Sequence, residues 1–379
     1  MRIGYGITVW SQGVERQHLD GIGIYTKNLW HELSEQKCNL QGLRFGGCDQ
    51  ANHAIPSAHE CLELKFNRQV ARAAILGVPF SGTARFENAI DLYHATDHHI
   101  PKLRNTPIVA TLMDAIPFVH PEWVSQRLRL LKNFAFKKTA QWCEEIITIS
   151  EFSKLDIAEH FNIPVERITS TPLGVNQSFF ERKSSEEIDR ALVRHDVRKG
   201  AFIFVGTLQP RKNVRRIIEA HRRLPLAARE AHPLLIIGKY GWGDNALLDE
   251  LNKMQLDNRG RWLNNVDNED LLALLQSATA LVYPSLYEGF GLPVLEGFAS
   301  GIPVISSRTT SIPEVAGDAA LLVDPESEDD IADAMLRIVE DTALATVLRG
   351  KGLERAKAFT WANCAQQTMD VYQRVCGRS

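Results

Sequence analysis

Residues 280–296 read Ala280-Leu281-Val282-Tyr283-Pro284-Ser285-Leu286-Tyr287-Glu288-Gly289-Phe290-Gly291-Leu292-Pro293-Val294-Leu295-Glu296. The first four residues form an apolar run of the kind found in strands buried on both faces of a parallel sheet. Pro293 fits the first turn of a helix, where its missing N–H leaves nothing unpaired. Glu288 then sits in a loop beyond the C-terminal end of a strand, and Glu296 sits inside the helix. Gly289-Phe290-Gly291 lets the backbone approach a ligand closely and leaves N–H groups free at a helix N-terminus. That arrangement suits an anionic or polyhydroxyl ligand. The same residues also fit a plain strand–turn–helix connection with two solvated glutamates, in which the glycines and proline serve geometry alone.

The strand–glycine–loop–helix order recurs. Ala201-Phe-Ile-Phe-Val205 ends at Gly206, Leu234-Leu-Ile-Ile237 ends at Gly238, and Ile302-Pro-Val-Ile305 is a further apolar run. After Gly206 come Thr207-Leu-Gln-Pro-Arg211-Lys212-Asn213 and a predicted helix over 213–224. A guanidinium and an ammonium beside a helix N-terminus can clamp a diphosphate. Taken alone, the pair equally fits a solvated basic surface, and the loop has neither Walker nor G-x-G-x-x-G spacing.

Further out, strands are predicted at 2–9, 90–94, 107–112 and 145–149, with helices at 22–36, 122–142 and 151–160. The second half adds strands at 201–205, 233–238, 280–283, 302–306 and 320–323, with helices at 213–224, 244–255, 269–277, 291–299 and 327–340. Two runs of such alternation predict two parallel sheets covered by helices. The expected domains are 1–180 and 200–358, joined by a charged linker at 181–199 that can be helical in part. A terminal amphipathic helix at 359–379 presents Trp361, Val371, Tyr372 and Val375.

Composition fits two ordinary globular domains. The 379 residues are 44% hydrophobic and 23% charged, with 43 basic and 46 acidic residues, for a net charge of −3. That balance excludes intrinsic disorder and argues against a dedicated nucleic-acid binder. No apolar run reaches the roughly 18 residues that a membrane-spanning helix needs. The N-terminus reads as a strand, not a signal peptide. Six cysteines without C-x-x-C spacing signal neither zinc nor a redox motif, and reduced thiols in a cytoplasm are expected.

Together, Gly206-Thr-Leu-Gln-Pro-Arg-Lys-Asn213 and the Glu288-x7-Glu296 segment resemble the retaining glycosyltransferases of family four. The likeness extends to Asp20-Gly-Ile-Gly23-Ile-Tyr-Thr, Ile149-Ser-Glu-Phe-Ser153, Pro172-Leu-Gly-Val-Asn176, Ser311-Ile-Pro-Glu-Val315 and Phe359-Thr-Trp361. It covers nearly the whole chain, with residues 38–88 covered least. The resemblance implies a GT-B fold: two Rossmann-like α/β domains facing a cleft, the first for the acceptor and the second for the nucleotide-sugar donor. The C-terminal helix crosses back to the N-terminal domain.

By the same resemblance, Glu296 would bind the donor ribose, and Glu288 the donor sugar near the backbone of Phe290, Gly291 and Leu292. Arg211 and Lys212, beside Gly206 and Thr207, would neutralise the diphosphate. A loop at Gly21 and Gly23 would lie near the phosphates and the acceptor. Two positions depart from the pattern: Thr207 and Met113 stand where many members carry Arg and His. Asp114, next to Met113, remains a catalytic candidate on the acceptor side. His94, His98 and Tyr25 are further acceptor candidates; Asp97, His98 and His99 match no recognised zinc spacing, so no metal is expected.

The activity implied is transfer of a hexose from a nucleotide-diphosphate sugar to a hydroxyl of a glycan or lipid-linked oligosaccharide, with retention of configuration and without a cofactor. Pro210-Arg-Lys-Asn213 resembles bacterial mannosyltransferases of surface polysaccharide assembly, which favours GDP-mannose over UDP-hexoses. A non-catalytic nucleotide-sugar binding protein is the alternative from another class. A phosphorylase-like enzyme lacks a pyridoxal lysine context, and the Glu-x7-Glu segment argues against an epimerase. Residues 121–142 set five basic residues against Glu122, among Leu128, Leu130, Leu131, Phe134 and Phe136. Such a helix either lies on an anionic membrane or buries its leucines and solvates its lysines. The expected location is cytoplasmic, peripheral to the inner face of the membrane.

Overall fold

The computed structural model describes residues 1–16, 19–36, 38–46, 55–56, 59–123, 129–241, 245–257 and 259–377. The chain divides into two compact units, one of residues 1–174 and 361–379, the other of residues 175–360.

The first unit holds β1 (Arg2–Gly6), β2 (Asn39–Phe45), β3 (His59–Leu62), β4 (Leu92–Ala95), β5 (Ile108–Thr111), β6 (Glu145–Thr148) and β7 (Ile168–Ser170). All pair in parallel in the order β3-β2-β1-β4-β5-β6-β7. The order reverses between β1 and β4, where Ile3 pairs with Leu92. Ligands of open α/β sheets bind beyond the carboxyl ends of strands at such a reversal. Four-residue strands such as Leu92–Ala95 and Glu145–Thr148 are buried throughout, because helices cover both faces. Helix Trp361–Cys376 belongs to this unit and packs on helix Gly21–Glu35 and β6. Trp361, Val371, Tyr372 and Val375 are all buried in it, so the expected return of the C-terminal helix is present.

The second unit holds β8 (Phe202–Val205), β9 (Leu234–Ile237), β10 (Gly260–Leu263), β11 (Ala280–Tyr283), β12 (Val304–Ser307) and β13 (Leu321–Val323). Their order is β10-β9-β8-β11-β12-β13, again parallel. Here the reversal falls between β8 and β11, where Ile203 pairs with Leu281. The two loops singled out in the sequence follow these two strands.

Several local readings change. The first strand ends at Gly6, and Thr8–Glu15 is a helix. Strands β2, β3, β7 and β10 add to those predicted. Residues 181–199, read as a linker, lie within the second unit and carry helix Ser185–His195. Ser184 and Glu187 form a capping box at its start, and its buried Ala191 and Leu192 pack toward helix Asn268–Ser277. Its many charges belong to the solvated face of an amphipathic helix. In place of helix 122–142, the described residues form a 3-10 turn at Pro121–Trp123 and a helix at Arg129–Ala140; residues 124–128 lie outside the described residues. Cys38, Cys143, Cys364 and Cys376 are free thiols, whereas Cys61 is disulfide-bonded, which departs from the expectation of reduced thiols throughout. No helix among the described residues is long and apolar enough to cross a membrane.

Candidate active site

The loops after β8 and β11 are stitched together. Beyond Gly206 the chain forms a 3-10 turn at Pro210–Lys212. Asn213 follows with φ 62°, and its side-chain amide donates to the carbonyls of Pro284 (2.9 Å) and Pro325 (2.6 Å). Asparagine tolerates that left-handed conformation and supplies the donors that close the loop. Leu286 N–H in turn donates to the Arg211 carbonyl at 2.8 Å. The β11 loop is fixed from below by Ser311, whose hydroxyl donates to the carbonyls of Glu288 (2.8 Å) and Phe290 (2.9 Å). Gly291 caps helix Leu292–Ala299 with φ 111°, and a Cβ there would come within 2.6 Å of Ile312 Cδ1. Only glycine meets both demands.

These loops bring Arg211, Lys212 and Glu288 together. Arg211 Nη1 lies 2.9 Å from Glu288 Oε2, and Lys212 Nζ lies 2.6 Å from Glu288 Oε1. The Tyr283 hydroxyl, at the end of β11, donates to Oε1 at 2.9 Å, and Lys212 also bonds that hydroxyl. Lys212 Nζ sits 4.9 Å from the centre of the Tyr283 ring, which stacks on Phe204. Burial alone would raise the Glu288 carboxyl, yet Arg211 and Lys212 outweigh it and hold the group at about 2. Glu296, in helix Leu292–Ala299, goes the other way: burial raises its carboxyl to about 7, with Lys212 opposing only in part. The two motif glutamates are therefore a permanent anion and a carboxyl poised near neutrality. Phe290 is buried against Phe359, so only its backbone is available to a ligand, whereas Gly206, Thr207 and Leu292 are partly exposed.

The acceptor candidates of the first unit separate into two groups. His94 and Tyr25 are fully buried. His94 bonds Tyr372 through Nδ1 (2.6 Å) and Thr111 through Nε2 (2.8 Å), and the Tyr25 hydroxyl bonds Thr111 as well (2.8 Å). Burial lowers the His94 imidazole to about 3, so it is a neutral core group. Neither residue offers an acceptor a surface. His98 and Asp114 do: with Asp97, Thr111 and Met113 they line a cavity of about 230 Å³. His98 keeps access to solvent, and partial desolvation of its ring holds it below the usual imidazole range. Asp97 is buried and accepts from His99 Nδ1 at 2.8 Å; ligand atoms of Asp97, His98 and His99 come within 4.8 Å of one another. Gly21 and Gly23, read as a loop, form the first turn of helix Gly21–Glu35, because the Asp20 side chain accepts from Gly23 N–H at 2.8 Å and caps it.

Tyr283, Thr310 and Ser311 escaped the sequence reading as site residues. Tyr283 was read only as the last strand residue; its place beside the loop was the one available signal. Thr310 takes φ 58° and accepts from Glu288 N–H at 3.2 Å, a contact across 22 residues that no local pattern announces.

The sequence pattern of the family described as Glycosyl transferases group 1 matches residues 167–355. O-antigen chain mannosyltransferase B of Escherichia coli is 34% identical over 283 residues, 74% of this chain and 74% of that protein. Among solved structures, sucrose-phosphate synthase from Thermosynechococcus elongatus superposes with a TM-score of 0.77 at 18% identity, covering 100% of both chains. Anabaena HepE in complex with UDP and glucose superposes at 0.74 with 17% identity, covering 99% of this chain and 100% of that one. The two parallel-sheet units are thus those of the GT-B glycosyltransferases, and the chain belongs to the group 1 glycosyl transferase family.

Proposed function

We propose that the protein transfers mannose from GDP-mannose to a hydroxyl of a glycan or lipid-linked oligosaccharide, with retention of configuration. The observation that carries this reading is the grip of Arg211 and Lys212 on one buried carboxylate beyond the ends of β8 and β11. Two preorganised cations in a low-dielectric site stabilise charge as it develops on a departing diphosphate. The bond from the anomeric carbon to the phosphate oxygen breaks, the bond to the acceptor oxygen forms on the same face, and the leaving phosphate oxygen takes the acceptor proton. Glu288 holds donor sugar hydroxyls, Glu296 the ribose, and His98 and Asp114 the acceptor. The mannose assignment is supported by the name of the Escherichia coli relative. A UDP-hexose is the second reading, favoured by the UDP and glucose in the HepE structure.

Because side chains supply the positive charge, the reaction needs no metal or cofactor. Transfer from GDP-mannose should survive excess EDTA, and Arg211→Ala should cut kcat by about a hundred-fold or more. Turnover with UDP-glucose alone would move the assignment to the second reading. Near-normal rates in Arg211→Ala would overturn the assigned site.

Peripheral contact with an anionic membrane is supported by helix Arg129–Ala140. Leu130, Leu131 and Phe134 are 80%, 62% and 59% exposed, and the helix carries Arg129, Lys132, Lys137 and Lys138 without an acidic residue. The protein should therefore sediment with vesicles containing phosphatidylglycerol, and Leu131→Gln with Phe134→Gln should abolish this. Equal sedimentation of wild type and double variant would refute the contact.

A further inference from the structure

We infer that Glu288 is the internal counter-ion of the cations that take the diphosphate, and that donor binding exchanges its carboxylate for the phosphates. This rests on the diphosphate reading above and adds how that site is regulated. Each carboxylate oxygen of Glu288 is engaged by a different cation, Oε2 by Arg211 and Oε1 by Lys212. Those are the two side chains assigned to the leaving group. Glu288 cancels one of the two positive charges, and Glu296 beside Lys212 subtracts further as it ionises, so at most one net positive charge meets a ligand that brings at least two negative ones.

The backbone around Glu288 is built to stay while its side chain moves. Ser311 and Thr310 hold the peptide groups on both sides of its Cα. The carboxylate, by contrast, is held through polar contacts to Arg211, Lys212 and the Tyr283 hydroxyl, all of which a phosphate oxygen can replace. A monoanion offers too little charge to displace it, so the pair screens the site against ordinary anions. A diphosphate offers enough. Once released, the carboxylate is free to take donor sugar hydroxyls. The grip on the sugar therefore engages only after the leaving group is neutralised. Tyr283 is a positioning residue in this scheme, because it biases the carboxylate toward its resting place.

The test is calorimetric titration of the full chain with GDP, UDP, guanosine and inorganic pyrophosphate, for wild type, Glu288→Gln and Tyr283→Phe. Glu288→Gln should bind the nucleoside diphosphate and pyrophosphate about ten-fold tighter than wild type while losing transfer activity. Guanosine, which lacks phosphates, should gain nothing. Tyr283→Phe should show a smaller gain of about three-fold, because it removes one of three contacts. Equal or weaker diphosphate binding by a folded Glu288→Gln overturns the exchange. If that variant does not fold, equal or weaker binding by Tyr283→Phe does the same. Failure of GDP and UDP to bind any of the three proteins would instead sink the nucleotide reading, and pyrophosphate would still measure the exchange by itself.

Discussion

Burial pushes both motif glutamates upward, and the difference between them lies in their partners. Glu288 meets Arg211 and Lys212, so its contribution to stability is present above the ordinary carboxylate value of 4.5 and is lost as the pH falls toward 2. Glu296 is half-buried with too little compensation for its desolvation and sits at about 7. As the pH rises from 4.5 through about 7, the unfolded chain releases this proton before the folded one does, so the folded state loses stability over that window. Glu296→Gln should flatten that loss, by up to about 3 kcal/mol between pH 5 and 8, as read from Tm at both values. Nucleoside diphosphate affinity should rise through pH 7 in the wild type and not in the variant, because an ionised carboxylate accepts two ribose hydroxyls better than a protonated one. A variant with the wild-type profile in both measurements would remove Glu296 from this role. The meeting of Arg211 and Lys212 with Glu288 was foreshadowed in the sequence because each lies in a short segment whose spacing is itself the signal. The surroundings of His94 and Tyr25 were not, since a polar residue in a strand or early in a helix looks the same whether it faces solvent or, as here, shares Thr111 inside the core.

The elements around the site meet at glycines. Gly238, just past β9, has φ 146°, and a Cβ there would lie 2.0 Å from the carbonyl oxygen of Gly206, just past β8. Gly206 has the same kind of backbone, φ 151°, but its added Cβ would meet nothing nearer than 3.5 Å. Gly238→Ala should therefore cost about 3 kcal/mol or more, and Gly206→Ala only the conformational strain of about 1–2 kcal/mol. Chemical denaturation of both variants checks the order, and equal losses would mean that the close approach of the two strand ends is not what selects glycine at 238. The long apolar runs at β8, β9, β11 and β12 were readable because each ends in glycine or lies between clear helices. β2, β3, β7 and β10 were hidden for a physical reason: they lie toward the outside of their sheets, and several of their residues are only partly buried, so their sequences lack a continuous apolar run. Helix Ser185–His195 was hidden by its charge, since a short amphipathic helix with two buried residues reads as a polar spacer.

At the scale of the molecule, the alternation of strands and helices announced two sheets, while the division of the chain between them came from packing. The first unit is discontinuous: residues 1–174 need residues 361–379 to complete it. Tyr372 reaches His94 from that returning helix, and Trp361 lies 6.4 Å from the Tyr25 ring. A chain ending at Thr360 should accordingly show faster amide exchange in β4, β5 and β6 while β8 and β11 keep their protection. Uniform exchange rates in both units would mean that the helix stabilises the molecule without belonging to one part of it. The discontinuity also sets an order of events during synthesis. When residue 174 has left the ribosome, Tyr25 and His94 have no lasting cover, and some two hundred residues must still be translated before residues 361–376 can supply it. The second unit, whose sequence is continuous, can close first. The first waits with apolar surface open, as a nascent chain that holdase chaperones recognise.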